Sequence, residues 1–368
     1  MRRTSTLHSR FCLWPPQVIK TEDLGYVEDT SGRYYPRDGG RSSAVRGLAV
    51  YQFGDTFAHD AKGNFVGVSC SNVSIVSNPR KPQLSTYCGV FPNGAIPTNP
   101  PLILGEEMND DWRTTTWCFG GIVFAEESKG KVIEGYTFFQ KSHINRKKWE
   151  EIIQYTGVAE VSFDTSAKQL LMSRSANDDA LFKASILSIN HMPPNVSRNR
   201  SQARVPFDEV QRRKSYQFWD GMAYQNDISK STPIMTGLQH GSIHRSRLFE
   251  PNTGKDWVFV GCNGFADSTV LIGVAPKPEG PWALQKLIPA PPRMPQPDSS
   301  FTYCMYAHPW AYDESKGELM VSWSEGGMRG KIVAVKVTFA QNANMGNTET
   351  KKSSLVGKIM KKLRDIKS

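Results

Sequence analysis

No two of the six cysteines in this 368-residue chain stand in a C-x-x-C pair, which argues against a structural zinc site. Cys12, Cys70, Cys88, Cys118, Cys262 and Cys304 fall mostly in apolar runs, where a thiol packs as a small hydrophobe. Cys70 and Cys88 flank one turn region and are the pair that could bridge in an oxidising compartment. The glycines do not fall into a phosphate-binding spacing (G-x-x-x-x-G-K, or G-x-G-x-x-G after a strand), and neither G-x-S-x-G nor H-E-x-x-H occurs. Nucleotide-dependent, serine-hydrolase and zinc-protease chemistry therefore lack their usual signatures, and neither a cofactor nor a metal is expected. Long apolar runs are missing too. Phe11-Cys12-Leu13-Trp14, the apolar run near the start, is cut off by Pro15-Pro16, so no secretory signal and no membrane span is read. By default this predicts a cytoplasmic protein, or one exported by another route. Helical periodicity is scarce, with one short helix expected at Arg146–Gln154, which excludes alternating α/β architectures.

Positive charge is in excess, with 45 Lys and Arg against 35 Asp and Glu and a net charge of +10. The excess is uneven. Residues 351–368 hold seven basic side chains against Asp365, which accounts for +6 and leaves about +4 on the rest. A basic balance confined to a tail is weak evidence for nucleic acid, and no nucleic-acid partner is expected. Leu355, Val356, Ile359, Met360, Leu363 and Ile366 recur there at helical spacing, with Ser353-Ser354 as a possible N-cap. Residues 341–368 thus read as a basic amphipathic tail. It either docks or frays on the body, or makes a weak contact with a membrane surface or a partner protein.

Between an irregular lead-in at 1–20 and that tail, residues 21–340 are rich in short β-type runs. A strand at Gly47–Phe57 ends in Gly-Asp-Thr, and Asn64–Ser77 follows with Val, Ser and Cys in alternation. Trp112–Glu126, Val132–Lys141, Val158–Asp164 and Gln169–Ser173 repeat the theme. Residues 190–213 read as a long loop. Gly237–Ile288 is the clearest unit, with four short strands and turn chemistry between them. Past a Pro-rich linker, Thr302–Tyr312, Glu318–Ser324 and Lys331–Phe339 close the series. About four short antiparallel strands in every 40–60 residues or so is the pattern of propeller blades. The fold class expected is all-β: a single five-bladed β-propeller, monomeric, with a large β-sandwich as the alternative.

In a propeller the first strand of each blade lines the central channel, so blade-opening strands should supply a site. Two carboxylates stand out. Asp38 precedes Gly39-Gly40, which suits a tight turn over the channel mouth. Asp55 ends the Gly47–Phe57 strand, with Gly54 before it and Thr56 placed to bond the carboxylate. Hydrolysis of a glycosidic bond needs one carboxylic acid to protonate the leaving oxygen and a second to activate water or attack carbon. Their separation distinguishes retention (roughly 5–5.5 Å) from inversion (roughly 6.5–9.5 Å). The bland reading is an Asx-turn at Asp38 and a strand-end hydrogen bond at Asp55. His240 and Ser242 on one blade-opening strand and His308 on another are candidate sugar ligands, or packed core residues. Ser71-Asn72 could bind a hydroxyl, and Trp112, Arg113 and Trp117 offer stacking faces and a cation. Asp220, Glu325, Asp23, Glu28 and Asp29 are further carboxylates within reach of such a site.

Gly54-Asp-Thr-Phe57 after an apolar strand, Ser71-Asn72, Thr269–Ala275 with Glu279-Gly-Pro-Trp282, and Tyr306-Ala-His-Pro-Trp310 together resemble the domain of unknown function 4185 family over roughly residues 21–340. That resemblance implies a five-bladed propeller related to the endo-D-arabinanases of glycoside hydrolase family 183. It implies hydrolysis of a furanoside such as arabinan, with two catalytic aspartates matched here by Asp55 and, through Arg37-Asp-Gly-Gly40, by Asp38. Substrate-binding candidates are Asn72, Trp117, His240, Ser242 and His308. A polysaccharide or oligosaccharide would be the partner. A carbohydrate-binding or protein-interaction propeller without chemistry is the other reading.

Overall fold

The computed structural model describes residues 10–33, 35–59, 62–88, 111–118, 120–125, 130–148, 150–174, 180–183, 200–264, 267–293, 301–326 and 330–342. The amphipathic reading of residues 351–368 lies outside them. Five antiparallel β-units form a propeller. Blade 1 runs outward from β2 (Arg37–Val45) through β3 (Leu48–His59) and β5 (Val73–Val76) to β6 (Ser85–Tyr87), and β4 (Phe65–Cys70) pairs with the far half of β3. Blade 2 has β7 (Trp112–Trp117) and β8 (Ile122–Phe124) in line on one edge of β9 (Val132–Asn145), followed by β10 (Glu150–Asp164). Both β11 (Gln169–Arg174) and the two-residue β12 (Phe182–Lys183) pair with β10. Residues 200–235 form blade 3, in two small sheets. One pairs β13 (Arg200–Ser201) with β17 (Pro233–Met235); the other joins β14 (Ala203–Arg204), β15 (Gln217–Trp219) and β16 (Tyr224–Gln225). Blade 4 carries β18 (Gly241–Arg245), β19 (Trp257–Cys262), β20 (Thr269–Ala275) and β21 (Ala283–Pro289). Blade 5 carries β22 (Thr302–His308), β23 (Glu318–Glu325) and β24 (Ile332–Phe339), and β1 (Val18–Tyr26) is its outermost strand. The ring therefore closes by pairing the first strand of the chain with the last, from Val18 opposite Phe339 to Tyr26 opposite Val333.

The core shows why the ring has this form. In blades 4 and 5 the central strands are covered on both faces: β19 and β20 are buried at every residue but the first, and so is β23, whereas β9 of blade 2 alternates between buried and more exposed positions. The buried apolar side chains group into five clusters, one per seam. Val50, Ile75, Phe139 and Phe163 join blades 1 and 2. Val158, Phe182, Tyr216 and Phe218 join 2 and 3, and Met235, Leu238, Phe259 and Leu271 join 3 and 4. Val258, Ile272, Met305 and Val321 join 4 and 5, and Tyr51, Phe53, Met320 and Ile332 join 5 and 1. β2, β22 and β18 touch across the seams, as inner strands around a channel must.

One local expectation is corrected. Arg146–Gln154 is not a helix: 146–148 is the turn of a long hairpin, and β10 starts at Glu150, opposite Asn145. The Lys, Glu and Gln residues there favour helix in isolation, but pairing along β9 outweighs that preference. Cys70 and Cys88 form no disulfide; both are buried thiols, and Cys70 Sγ accepts the Thr116 N–H at 3.4 Å.

Candidate active site

Asp38 does not sit on a turn; it is the second residue of β2, the channel-lining strand of blade 1. The two glycines after it serve a different purpose from a loop. The β2–β3 register slips on either side of Gly39, and both Gly39 (φ +77) and Gly40 (φ +78) are left-handed. A Cβ on Gly39 would lie 2.7 Å from the Gly54 nitrogen. The bulge therefore brings the backbone of β2 against β3. Asp38 Oδ1 then accepts the Asp55 backbone N–H at 2.6 Å. From blade 5, the Tyr303 hydroxyl donates to Asp38 Oδ2.

Asp55 is on β3, the second strand of its blade, and not on the blade-opening strand as expected. It still faces the site because the Gly39–Gly40 bulge lets the inner strand step aside. Arg113 of β7 grips it bidentately, Nη1 to Oδ2 at 2.9 Å and Nη2 to Oδ1 at 2.7 Å. Trp117 Nε1 donates to Oδ1 at 2.9 Å. Asp55 and Arg113 are 7% and 8% exposed, so this is a buried, charge-assisted pair. Thr56 does not touch the carboxylate; its hydroxyl pairs with Tyr87 OH at 3.1 Å.

The two acids thus share one backbone contact and differ in surroundings. Burial, and then the charge of Asp55, push the Asp38 carboxyl up to about 7, against the opposing pull of Tyr303, the Asp55 N–H and Arg113. Burial and Asp38 raise Tyr303 well above the usual phenol range, so its hydroxyl remains a donor throughout the neutral range. Such a pair, one acid protonated near neutrality beside one held by a cation, is suited to acid–base chemistry.

Of the other candidates, Trp117 bonds Asp55, and the His240 ring lies 6.2 Å from that of Tyr303, so both stand at the site. Three do not. Asn72 is fully buried, with Oδ1 accepting the Ser69 hydroxyl at 2.9 Å. Ser242 Oγ accepts the Ala307 N–H at 2.9 Å and ties blade 4 to blade 5. His308 is a core histidine at 0% exposure: Nδ1 meets Ser42, Nε2 meets Ser322 at 2.7 Å, and its ring stacks on Tyr51. Burial, with help from Arg41 and His244, lowers it to about 3, so it is neutral. Among the spare carboxylates, Asp220 caps its own turn at Met222 and Ala223, and Glu325 Oε1 accepts the Arg293 N–H at 2.6 Å. Tyr303 was not singled out from sequence: one tyrosine in an aromatic strand carries no signal that it reaches an acid 265 positions away. Among the described residues no group of three His, Cys, Asp or Glu side chains is placed to hold a metal.

Among solved structures the chain is similar to a candidate hydrolase from Bacteroides ovatus, at TM-score 0.51 and 10% identity over 85% of this chain and 87% of that one. It also aligns at TM-score 0.42 and 9% identity, over 88% and 94%, with a family-43 β-xylosidase/α-arabinofuranosidase from a compost metagenome in complex with xylotriose. An α-L-arabinofuranosidase from Podospora anserina, in complex with cellotriose, aligns at 0.37 and 9% over 86% and 95%. At these identities the likeness is one of fold. No family model matches the chain, and neither does any curated protein.

Proposed function

We propose that the protein is a glycoside hydrolase with Asp38 as general acid and Asp55 as base or nucleophile. The observation that carries the proposal is the unlike pair: Asp38, raised to about 7, accepts the backbone N–H of Asp55, whose carboxylate Arg113 clamps. Asp38 in its protonated form gives its proton to the leaving glycosidic oxygen. A carboxylate has about four lone-pair sites. Among the described residues, Oδ1 of Asp55 accepts from both Arg113 and Trp117, while Oδ2 accepts from Arg113 alone. Oδ2 is therefore the atom that takes a proton from water or attacks the anomeric carbon. Trp117 and His240 border the substrate. Membership of the domain of unknown function 4185 group, suggested by the motifs around Asp55 and Trp282, makes a furanoside polysaccharide such as arabinan the first substrate to try. An oligosaccharide-binding propeller without chemistry is favoured by one feature, the three donors that hold Asp55.

The test is a polysaccharide panel, including arabinan and xylan, assayed by reducing-end release with the wild type and with Asp55→Asn. Release by the wild type and none by the variant is expected. Equal release by both removes Asp55 from the mechanism, and binding without release by the wild type selects the non-catalytic reading.

A further inference from the structure

Blade 3 presents a basic loop between two buried anchors. Val210 and Tyr216 are 6% and 3% exposed, and the Tyr216 hydroxyl donates to the Val210 carbonyl at 2.6 Å. Between them, Gln211, Arg212, Arg213 and Lys214 are exposed and Ser215 is half-buried. A single 3-10 turn at Arg213–Ser215 shapes the loop, with the Ser215 N–H on the Arg212 carbonyl at 2.9 Å and the Tyr216 N–H on that of Arg213 at 3.3 Å. So short a turn opens at little cost. Its cations are lightly held: Arg212 meets Glu209 at 3.6 Å, and Arg213 lies 5.7 Å over the Phe182 ring.

Ser215 lines a cleft of about 360 Å³ together with Arg204, Val205, Pro206 and Gln217. Its hydroxyl makes no hydrogen bond among the described residues. Arg204 stands opposite Gln217 in the β14–β15 ladder, and Ser215 precedes Gln217 by two residues. Arg204 Nε donates to Gln217 Oε1 at 2.9 Å, and the guanidinium lies 3.9 Å over the Tyr224 ring. Of the five donors on a guanidinium, the four on its Nη atoms have no acceptor here among the described residues. Two independent features thus meet at one hydroxyl. Arginines two and three residues before it form the charge pattern that basic-selective serine kinases read with carboxylates. A planar cationic fork borders the same cleft, as an acceptor for phosphate oxygens requires.

We propose that Ser215 is a phosphorylation site for such a kinase and that Arg204 receives the phosphate. In the step, Ser215 Oγ attacks the γ-phosphorus of ATP. The Oγ–P bond forms, the bond from that phosphorus to the β–γ bridging oxygen breaks, ADP leaves, and the hydroxyl proton passes to the kinase's carboxylate base. The phosphoserine brings a charge of about −1.5 to −2 and three strong acceptor oxygens into the cleft. The Arg204 fork binds two of them and ties the loop to β14. No described residue of blade 3 belongs to the Asp38–Asp55 site, and the proposal does not rest on the hydrolase reading.

The test uses the folded full chain with ATP and the catalytic subunit of a cyclic-AMP-dependent kinase, which selects this charge pattern. Peptide mass spectrometry should place phosphate on Ser215, and none at that position in Ser215→Ala. Arg2-Arg3-Thr4-Ser5 repeats the pattern outside the described residues, so position must be assigned. No phosphate on Ser215 of the folded chain overturns the proposal, whether or not Ser5 is modified. Phosphorylation should raise the thermal midpoint of the wild type by about 1–3 °C, the order that one or two charge-assisted bonds supply. Phosphorylated Arg204→Met should show no rise; an equal rise in both proteins overturns Arg204 as the receiver. If Arg204→Met does not fold, phosphorus-31 NMR of the wild type decides. The phosphate should titrate at lower pH in the folded chain than in urea, and equal titration overturns the pairing.

Discussion

Replacing Asp38 by asparagine should make the protein more stable above neutral pH while abolishing its turnover of the polysaccharide. The sign follows from proton linkage. The carboxyl moves from an ordinary value near 3.8 to about 7 on folding. Between those values the native state keeps a proton that the unfolded chain has lost, so wild-type stability falls as pH rises from about 4 to about 7. At about 1.4 kcal/mol per pH unit the ceiling on that loss is about 4 kcal/mol. Asp38 is only partly buried, so solvent screening makes about 1–2 kcal/mol the working expectation. The substitution is isosteric: the new side-chain carbonyl can accept the Asp55 N–H and the amide can donate to the Tyr303 oxygen, so no packing is lost. Denaturant unfolding at pH 4, 6 and 8 is the assay. The variant should have a flatter profile and a higher midpoint than the wild type at pH 8. A wild-type profile that rises from pH 4 to 8, or a variant less stable than wild type at pH 8, would refute the reasoning.

Arg113→Met leaves Asp55 buried without its cation and should cost about 3–5 kcal/mol of stability by chemical denaturation, whereas Arg113→Lys keeps the charge but not the fork and should fold with activity reduced at least tenfold. Gly39→Ala meets the Gly54 nitrogen and a left-handed backbone, so it should destabilise by at least about 1–2 kcal/mol in thermal unfolding. His308→Phe leaves the Ser42 and Ser322 hydroxyls unpaired and should lower stability by about 1–3 kcal/mol. Its KM should stay unchanged, since His308 reaches no substrate; a raised KM at normal stability would contradict that placement.

The propeller was most legible in blade 4, whose central strands are covered on both faces. Trp257–Cys262 and Thr269–Ala275 read as unbroken apolar runs, and turn residues separate them at blade spacing. What local pattern could not supply was long-range pairing. β1 begins inside the stretch read as an irregular lead-in and runs for nine residues, because its partner β24 lies at the other end of the chain. The hairpin at Arg146 was masked by helix-forming residues. The same limit shaped the reading of the site. Asp38 and Asp55 were found from their glycine contexts, and Trp117 from its type. But Gly39-Gly40, read as a turn, is a bulge inside a strand. Strand order put Asp55 one strand out from the channel, and Tyr303 came into view only when blade 5 closed against blade 1. His308 and Ser242 had the residue types of sugar ligands, but the folded chain uses both to join blades.

The proposed division of labour between the two aspartates is tested by leaving-group dependence. An aryl glycoside with an acidic phenol leaves without protonation, whereas a sugar does not. On the sugar released in the panel, Asp38→Asn should retain near-wild-type turnover of the dinitrophenyl glycoside and lose turnover of the polysaccharide, while Asp55→Asn should lose both. An Asp38→Asn protein that loses both substrates equally, or one that loses neither, would contradict the assignment of Asp38 as the acid.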